Sequence, residues 1–276
     1  MANPIQLPQE TVDKIIYDYT INQYGLEKTG KNNGVSAYIT RRILLDNKIH
    51  IRSRGEAAQI SNVQRRKHNV NDDYFSIENS NMAYLLGFLA SDGTIDKKNN
   101  RIKIGLSSVD RDFLVTIKNE LNCESNIFDY VTSNGYPVSE LCFTSKKIKQ
   151  ELLKYNIIPN KTFCFKFPKN LKREYWIDFI RGYFDGDGSI STSGPSAIKW
   201  QICSVTKDVL QTIIDFFYEE YKIEKPCILE RKSSKHKVYY FQYSSVPTRK
   251  IFSILYSKDC LKLPRKYLKF KELVMK

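Results

Sequence analysis

One stretch of this sequence occurs twice, and it limits the fold more than any other feature. The first copy reads Tyr84-Leu85-Leu86-Gly87-Phe88-Leu89-Ala90-Ser91-Asp92-Gly93, the second Phe179-Ile180-Arg181-Gly182-Tyr183-Phe184-Asp185-Gly186-Asp187-Gly188. Each is a short apolar run with a central glycine, closed by Asp-Gly. A helix that is apolar on most sides is a buried helix. Glycine inside a helix costs roughly 1 kcal/mol against alanine, so Gly87 and Gly182 imply a packing reason, such as another backbone approaching at that point. Two such helices side by side would bring Asp92 and Asp187 together at their C-terminal ends.

A longer repeat surrounds these copies. Residues 108–117, beginning Ser-Val-Asp-Arg-Asp, match residues 204–213, beginning Ser-Val-Thr-Lys-Asp, and Pro159-Asn160-Lys161 answers Pro264-Arg265-Lys266. The matches keep their order and nearly their offset. A period this long exceeds a solenoid unit, so the pattern implies two copies of one small domain related by pseudo-symmetry.

The periodicity predicts the same elements in each copy. The first has the motif helix, two strands around 97–100 with the second at 101–107, a helix at 109–121, strands at 126–131 and 137–144 around an Asn134-Gly135 turn, and a helix at 146–155. The second has strands at 188–191 and 198–202, a helix at 206–221, strands at 227–231 and 238–244, and helices at 247–256 and 265–275. The order is αββαββα, twice. Strand residues alternate: Arg101 and Lys103 with Ile102 and Ile104. One sheet face is then buried and the other polar and basic, which suits a nucleic-acid groove. Arg101, Lys103, Lys199 and Arg231 are the contact candidates on these strands.

Residues 11–51 predict a separate helical unit. Val12, Ile15, Ile16 and Tyr19 have helical spacing, a polar stretch at 26–33 follows, and Gly34-Val35-Ser36 restarts a helix carrying Ile39, Ile43 and Leu44. This resembles the helix-turn-helix of site-specific DNA-binding proteins, with departures at Thr29, Gly30 and Asn33 on its middle helix. Its recognition helix would span 36–45, with Tyr38, Thr40 and Arg41 toward a groove and Arg42 nearer a phosphate. Residues 52–80 read as a polar linker. Arg52, Arg54 and the cluster Arg65-Arg66-Lys67 there could follow a phosphate backbone. The domain division is 1–55, a basic linker at 56–80, a first repeat at 81–168 and a second at 169–276.

Charge points to the same partner. The formal net charge is +14 at pH 7, and such an excess of lysine and arginine favours a polyanion through counterion release. The six cysteines are scattered without a Cys-x-x-Cys pair, so a zinc ribbon or disulfide framework is not expected. The expected setting is the cytoplasm, with no membrane partner and no signal segment.

The repeated stretch resembles the LAGLIDADG motif of homing endonucleases in its two-motif, single-chain form, over residues 82–276. The resemblance implies an α+β fold of two αββαββα repeats, here with an all-α helix-turn-helix unit before them. It also implies a monomer that cuts both strands of DNA at a specific site with Mg2+, or another divalent cation such as Mn2+. Asp92 and Asp187 would hold metal, together with the carbonyls of Ser91 and Gly186, and Lys161 and Lys266 would assist catalysis. The physics agrees: an aspartate at a helix C-terminus faces the unfavourable end of the dipole, and two facing carboxylates repel. A hard divalent cation offsets both costs. Ala90-Ser91 departs from the family pattern that Asp185-Gly186 keeps, so the two halves could cut unequally.

Two alternatives belong to other classes: an RNA-binding maturase acting on host intron RNA, and a DNA-binding regulator derived from a nuclease. An intein is not expected, because the chain has no nucleophile after Met1 and ends Val274-Met275-Lys276. A lean toward Lys, Asn, Ile and Tyr would fit an AT-rich phage or bacterial genome.

Overall fold

The computed structural model describes residues 7–64, 68–192, 197–232 and 237–275. The chain divides into two compact units, Met1–Lys67 and His68–Lys276.

The first unit is helical: α1 Gln9–Thr20, α2 Leu26–Asn32, α3 Ala37–Asp46 and α4 Arg54–Gln64. Ile15, Tyr19 and Leu44 form its core. Ser36 caps α3, its hydroxyl accepting from the Ile39 amide, which satisfies one of the free donors of the first turn. The departures on α2 and at its C-cap Asn33 are taken into the fold. A Cβ on Gly30 would lie 2.6 Å from the Val35 carbonyl oxygen, so glycine lets α3 pack close. Asn33 donates to buried Asp18 (2.9 Å). Thr29 is itself buried.

The stretch read as a linker is largely structured. It begins as α4, and farther on Val70, Tyr74 and Phe75 are buried in the core of the second unit. Their apolar side chains have no strand or helix period, which is why the sequence pattern concealed them. Residues Arg65, Arg66 and Lys67 lie outside the described residues.

The second unit is α+β, two αββαββα repeats. The first repeat contains α5 Ser80–Asp92, β1 Gly93–Ile95, β2 Arg101–Ser107, α6 Arg111–Glu120, β3 Ile127–Val131, β4 Pro137–Thr144 and α7 Lys146–Lys154. The second contains α8 Trp176–Asp187, β5 Gly188–Thr192, β6 Ile198–Ser204, α9 Lys207–Tyr221, β7 Leu229–Lys232, β8 Lys237–Ser244 and α10 Val246–Leu255, followed by α11 Pro264–Met275. Each repeat forms one antiparallel sheet, ordered β1-β2-β4-β3 and β5-β6-β8-β7. Register repeats too: Gly93 pairs with Ile104 as Gly188 pairs with Ile202.

The strands follow their period-two pattern. Ile102, Ile104, Leu106, Leu141 and Phe143 are buried on one sheet, Ile190, Trp200, Ile202, Phe241 and Tyr243 on the other. The alternate residues form a wetter face on each. Between the repeats run α5 and α8, buried without interruption over 82–90 and 178–185. Among the described residues no helix is long and apolar enough to cross a membrane.

Candidate active site

The site begins with the contact between α5 and α8. A Cβ on Gly87 would lie 2.0 Å from the Phe179 carbonyl oxygen, and one on Gly182 would lie 2.0 Å from that of Tyr84. The helices therefore touch backbone to backbone, at a distance only glycine permits. The contact carries down to their C-terminal ends, where a Cβ on Gly186 would meet the Ser91 hydroxyl at 1.8 Å and Asp92 Oδ2 at 3.1 Å. Ser91 turns its hydroxyl back to the Phe88 carbonyl (2.9 Å).

Each helix runs directly into the first strand of its repeat, so Asp92 and Asp187 are held by the packed helix on one side and a paired strand on the other. Asp92 is half-buried and Asp187 exposed. Burial is the main force raising the Asp92 carboxyl, opposed by Lys266 and Lys161. Asp187 is pushed up to about 6, first by crowding from surrounding protein atoms and then by the charge of Asp92. The direction of the shift stands on both causes, since a like charge nearby needs no deep burial to act.

The two lysines approach the same ends. Lys161 is buried and donates to the Gly93 carbonyl. Lys266 donates toward the carbonyls of Phe184 (2.9 Å), Asp185 (2.7 Å), Gly186 (3.3 Å) and Gly188 (2.7 Å). A cation at a helix C-terminus is favourable, since unpaired carbonyls concentrate there. Burial lowers both ammonium groups, while the acids of the site hold them up. Two carboxylates, two ammonium groups and the carbonyls of two helix ends thus share one locus.

Asp185 was visible only as part of the motif, and its partners were not visible at all. Its carboxylate accepts from the Tyr84 hydroxyl (2.7 Å) and the Leu263 amide (2.8 Å). Burial raises it to about 6. Asp110, in the turn before α6, takes Arg265 in a two-pronged pair (2.8–3.2 Å). Only the offset between the repeats could have hinted at it, because Asp110 aligns with Thr206.

The remaining contact candidates divide sharply. In the first unit Tyr38, Arg41, Arg42 and Arg54 are exposed, and Arg42 lies 4.0 Å from Asp46. Thr40 is fully buried and donates to the Ser36 carbonyl (3.0 Å), so it supports the α2–α3 contact instead of facing a groove. Arg52 likewise serves the fold: its guanidinium donates to the carbonyls of Tyr19 and Tyr24 and lies 3.9 Å from the Tyr19 ring centroid. On the sheets Arg101 and Arg231 are exposed and Lys199 half-buried, but Lys103 is engaged with Glu140 (3.1 Å).

Residues 79–155 match the family model described as a LAGLIDADG-like domain. The first repeat is a LAGLIDADG-like domain. An uncharacterized protein of Methanocaldococcus jannaschii is 28% identical over 211 residues, 71% of this chain and 72% of the relative. Among solved structures, the chain is similar to the homing endonuclease I-DmoI bound to DNA and Ca, with 18% identity, a TM-score of 0.46, and 73% of this chain and 99% of the other covered. It is also similar to full-length DUF199/WhiA from Thermatoga maritima, with 14% identity and a TM-score of 0.44. That match covers 74% of this chain but only 64% of the other.

Proposed function

We propose that this protein is a site-specific DNA endonuclease that cuts both strands of a duplex with a divalent cation, Mg2+ or Mn2+. The observation that carries the reading is the convergence of Asp92 and Asp187 at the ends of two helices locked by glycine. Neither acid is placed there for stability: each faces a helix C-terminus, burial raises both, and the charge of Asp92 raises Asp187 further.

The donor set fits a hard dication. Carboxylate and carbonyl oxygens are the ligands magnesium prefers, and a cation relieves the desolvated negative charge that raises Asp92 and Asp187. These two residues would hold it, with the Ser91 and Gly186 carbonyls as neighbouring oxygens. When bound, such an ion supplies charge stabilisation at phosphate and a more acidic water. Lys161 and Lys266 place positive charge beside the acids and would stabilise negative charge developing on a phosphate. The pseudo-twofold arrangement offers one acid and one lysine to each strand of a duplex.

In the second unit the basic, half-wet strand faces would follow the duplex. In the first, Tyr38, Arg41, Arg42 and Arg54 offer a second DNA contact, the exposed arginines through phosphates.

The test is cleavage of a randomised duplex library in Mg2+ or Mn2+, with the cut ends sequenced. Double-strand cuts at one recurring site are expected, and Asp187→Asn should abolish them. No cutting in either ion, or undiminished cutting by Asp187→Asn, sinks the reading. Selective binding of structured intron RNA without cutting would favour a maturase instead.

A further inference from the structure

The two lysines reach equivalent helix ends by very different means. The segment before α11 is fastened to α8 at three points. Arg181, which is 2% exposed, donates from Nε to the Leu261 carbonyl (2.9 Å) and from Nη1 to that of Leu255 (3.1 Å). Asp185 accepts the Leu263 amide. Asp178 holds Arg181 from one turn earlier, with Nη2 at 2.7 Å, although that contact lacks hydrogen-bond alignment. Asp110 of the first repeat then takes Arg265, the residue beside Lys266.

Among the described residues the first motif helix makes no matching polar tether to the segment that carries Lys161. By the offset that aligns Asp92 with Asp187, Leu86 stands where Arg181 does and Ala90 where Asp185 does. Lys161 donates to the Gly93 carbonyl, and its segment is held by the Thr206 hydroxyl on the Phe165 carbonyl (3.1 Å), by Trp176 on the Leu171 carbonyl (2.8 Å) and by Phe165 stacked on Phe179 and Tyr183.

We propose that Arg181 and Asp185 are positioning residues for Lys266. They fix residues 255–263 to the motif helix, so that α11 delivers its lysine in register, a task that Leu86 and Ala90 at the matching positions of α5 cannot perform for Lys161. This rests on the endonuclease reading. It goes beyond that reading by assigning a task to two buried polar residues of the motif helix.

Asp185→Ala, Asp185→Asn and the wild-type protein distinguish the idea on a duplex labelled separately on each strand, under single-turnover conditions. Misplacing a catalytic group by about 1 Å can cost on the order of 100-fold. Asp185→Ala should therefore slow one strand at least about tenfold in maximal rate, leaving the other strand and DNA affinity within about twofold. Asp185→Asn keeps an acceptor oxygen for the Leu263 amide and should recover most of that rate. Equal slowing of both strands, or an Asn variant as slow as the Ala variant, would overturn the proposal.

Amide hydrogen exchange gives a readout independent of cleavage. Asp185→Ala should speed exchange across 261–267 but not across 157–165. Exchange unchanged in the first segment overturns the positioning role even if the enzyme cuts. Faster exchange in a protein that cuts nothing preserves the tether and removes the endonuclease reading. If Asp185→Ala does not fold, Asp110→Asn, which releases the partly exposed Arg265, should show the same strand bias with a smaller loss.

Discussion

The two repeats of the second unit share a backbone plan and differ in what they do with polar side chains. On the wet face of the first sheet Lys103 is spent on Glu140, and Phe128 and Tyr130 are exposed on its edge strand. In the second sheet Gln201 takes the place of Lys103 and stands opposite Gln242 across β6 and β8, Tyr240 takes the place of Glu140, and Leu229 and Arg231 lie on the edge. No hydrogen bond engages either glutamine side chain among the described residues. Glutamine can make a two-pronged contact with adenine in the major groove. One half therefore pairs its central lysine within the sheet, and the other presents two amide side chains there. Repetition of a fold does not repeat its surface chemistry, and pseudo-symmetry of the backbone is compatible with a divided task.

Four experiments press on this contrast. The largest effect should ignore it. Gly87→Ala and Gly182→Ala each drive a methyl into a backbone carbonyl, which no rotamer change relieves, and each should cost about 3 kcal/mol or more in urea unfolding. A large difference between the two would mean that the helix pair is less symmetric than its geometry.

Next come the acids. Asp92→Asn and Asp187→Asn should each lower double-strand cutting at least about 100-fold, measured at saturating DNA. Conversion of plasmid to a nicked product by either variant would assign strands to halves.

The sheets are compared by Gln201→Ala and Lys103→Ala. The first should relax base preference at one position, worth about 1–3 kcal/mol of discrimination. The second should change affinity little, because its ammonium is already paired. Binding selections on randomised duplexes would show an equal shift for both if the contrast is unimportant.

The smallest effect is at the edge of the first sheet. Asp129 accepts from Ser139 and pairs with Arg111 (3.0 Å), and these hydrogen bonds lower its carboxyl below the usual 3.8. A depressed carboxyl adds stability above its ordinary value and loses it as pH falls through the folded value. Asp129→Asn should therefore be slightly less stable at neutral pH, and the gap should close below about pH 4. A gap unchanged at low pH would show that packing, not charge, holds that edge.

Much of this architecture is legible in the sequence because it is periodic. The αββαββα order, the Asn134-Gly135 turn with Gly135 at φ +80° and the approximate strand limits all follow from local pattern. So does the grouping of Asp92 with Asp187, since a motif repeated in order puts like residues at like places. What escaped depends on contacts distant in sequence. Thr40 and Arg52 have the composition of DNA-contacting residues, yet one is enclosed by a glycine contact and the other consumed by carbonyls of a neighbouring turn. Tyr74 and Phe75 sit in a polar stretch, and only the core of the second unit explains their burial. The fastening of residues 255–263 by Arg181 and Asp185 has no local signature, because its acceptors are main-chain carbonyls.

The glycine joint between α5 and α8 makes the pair of acids a caliper of fixed opening. Its gauge is set by main-chain atoms, which substitution of surrounding side chains does not alter. On the endonuclease reading, a duplex cut by both acids would have to bring its two scissile phosphates to that opening, because the protein side of the fit does not adjust.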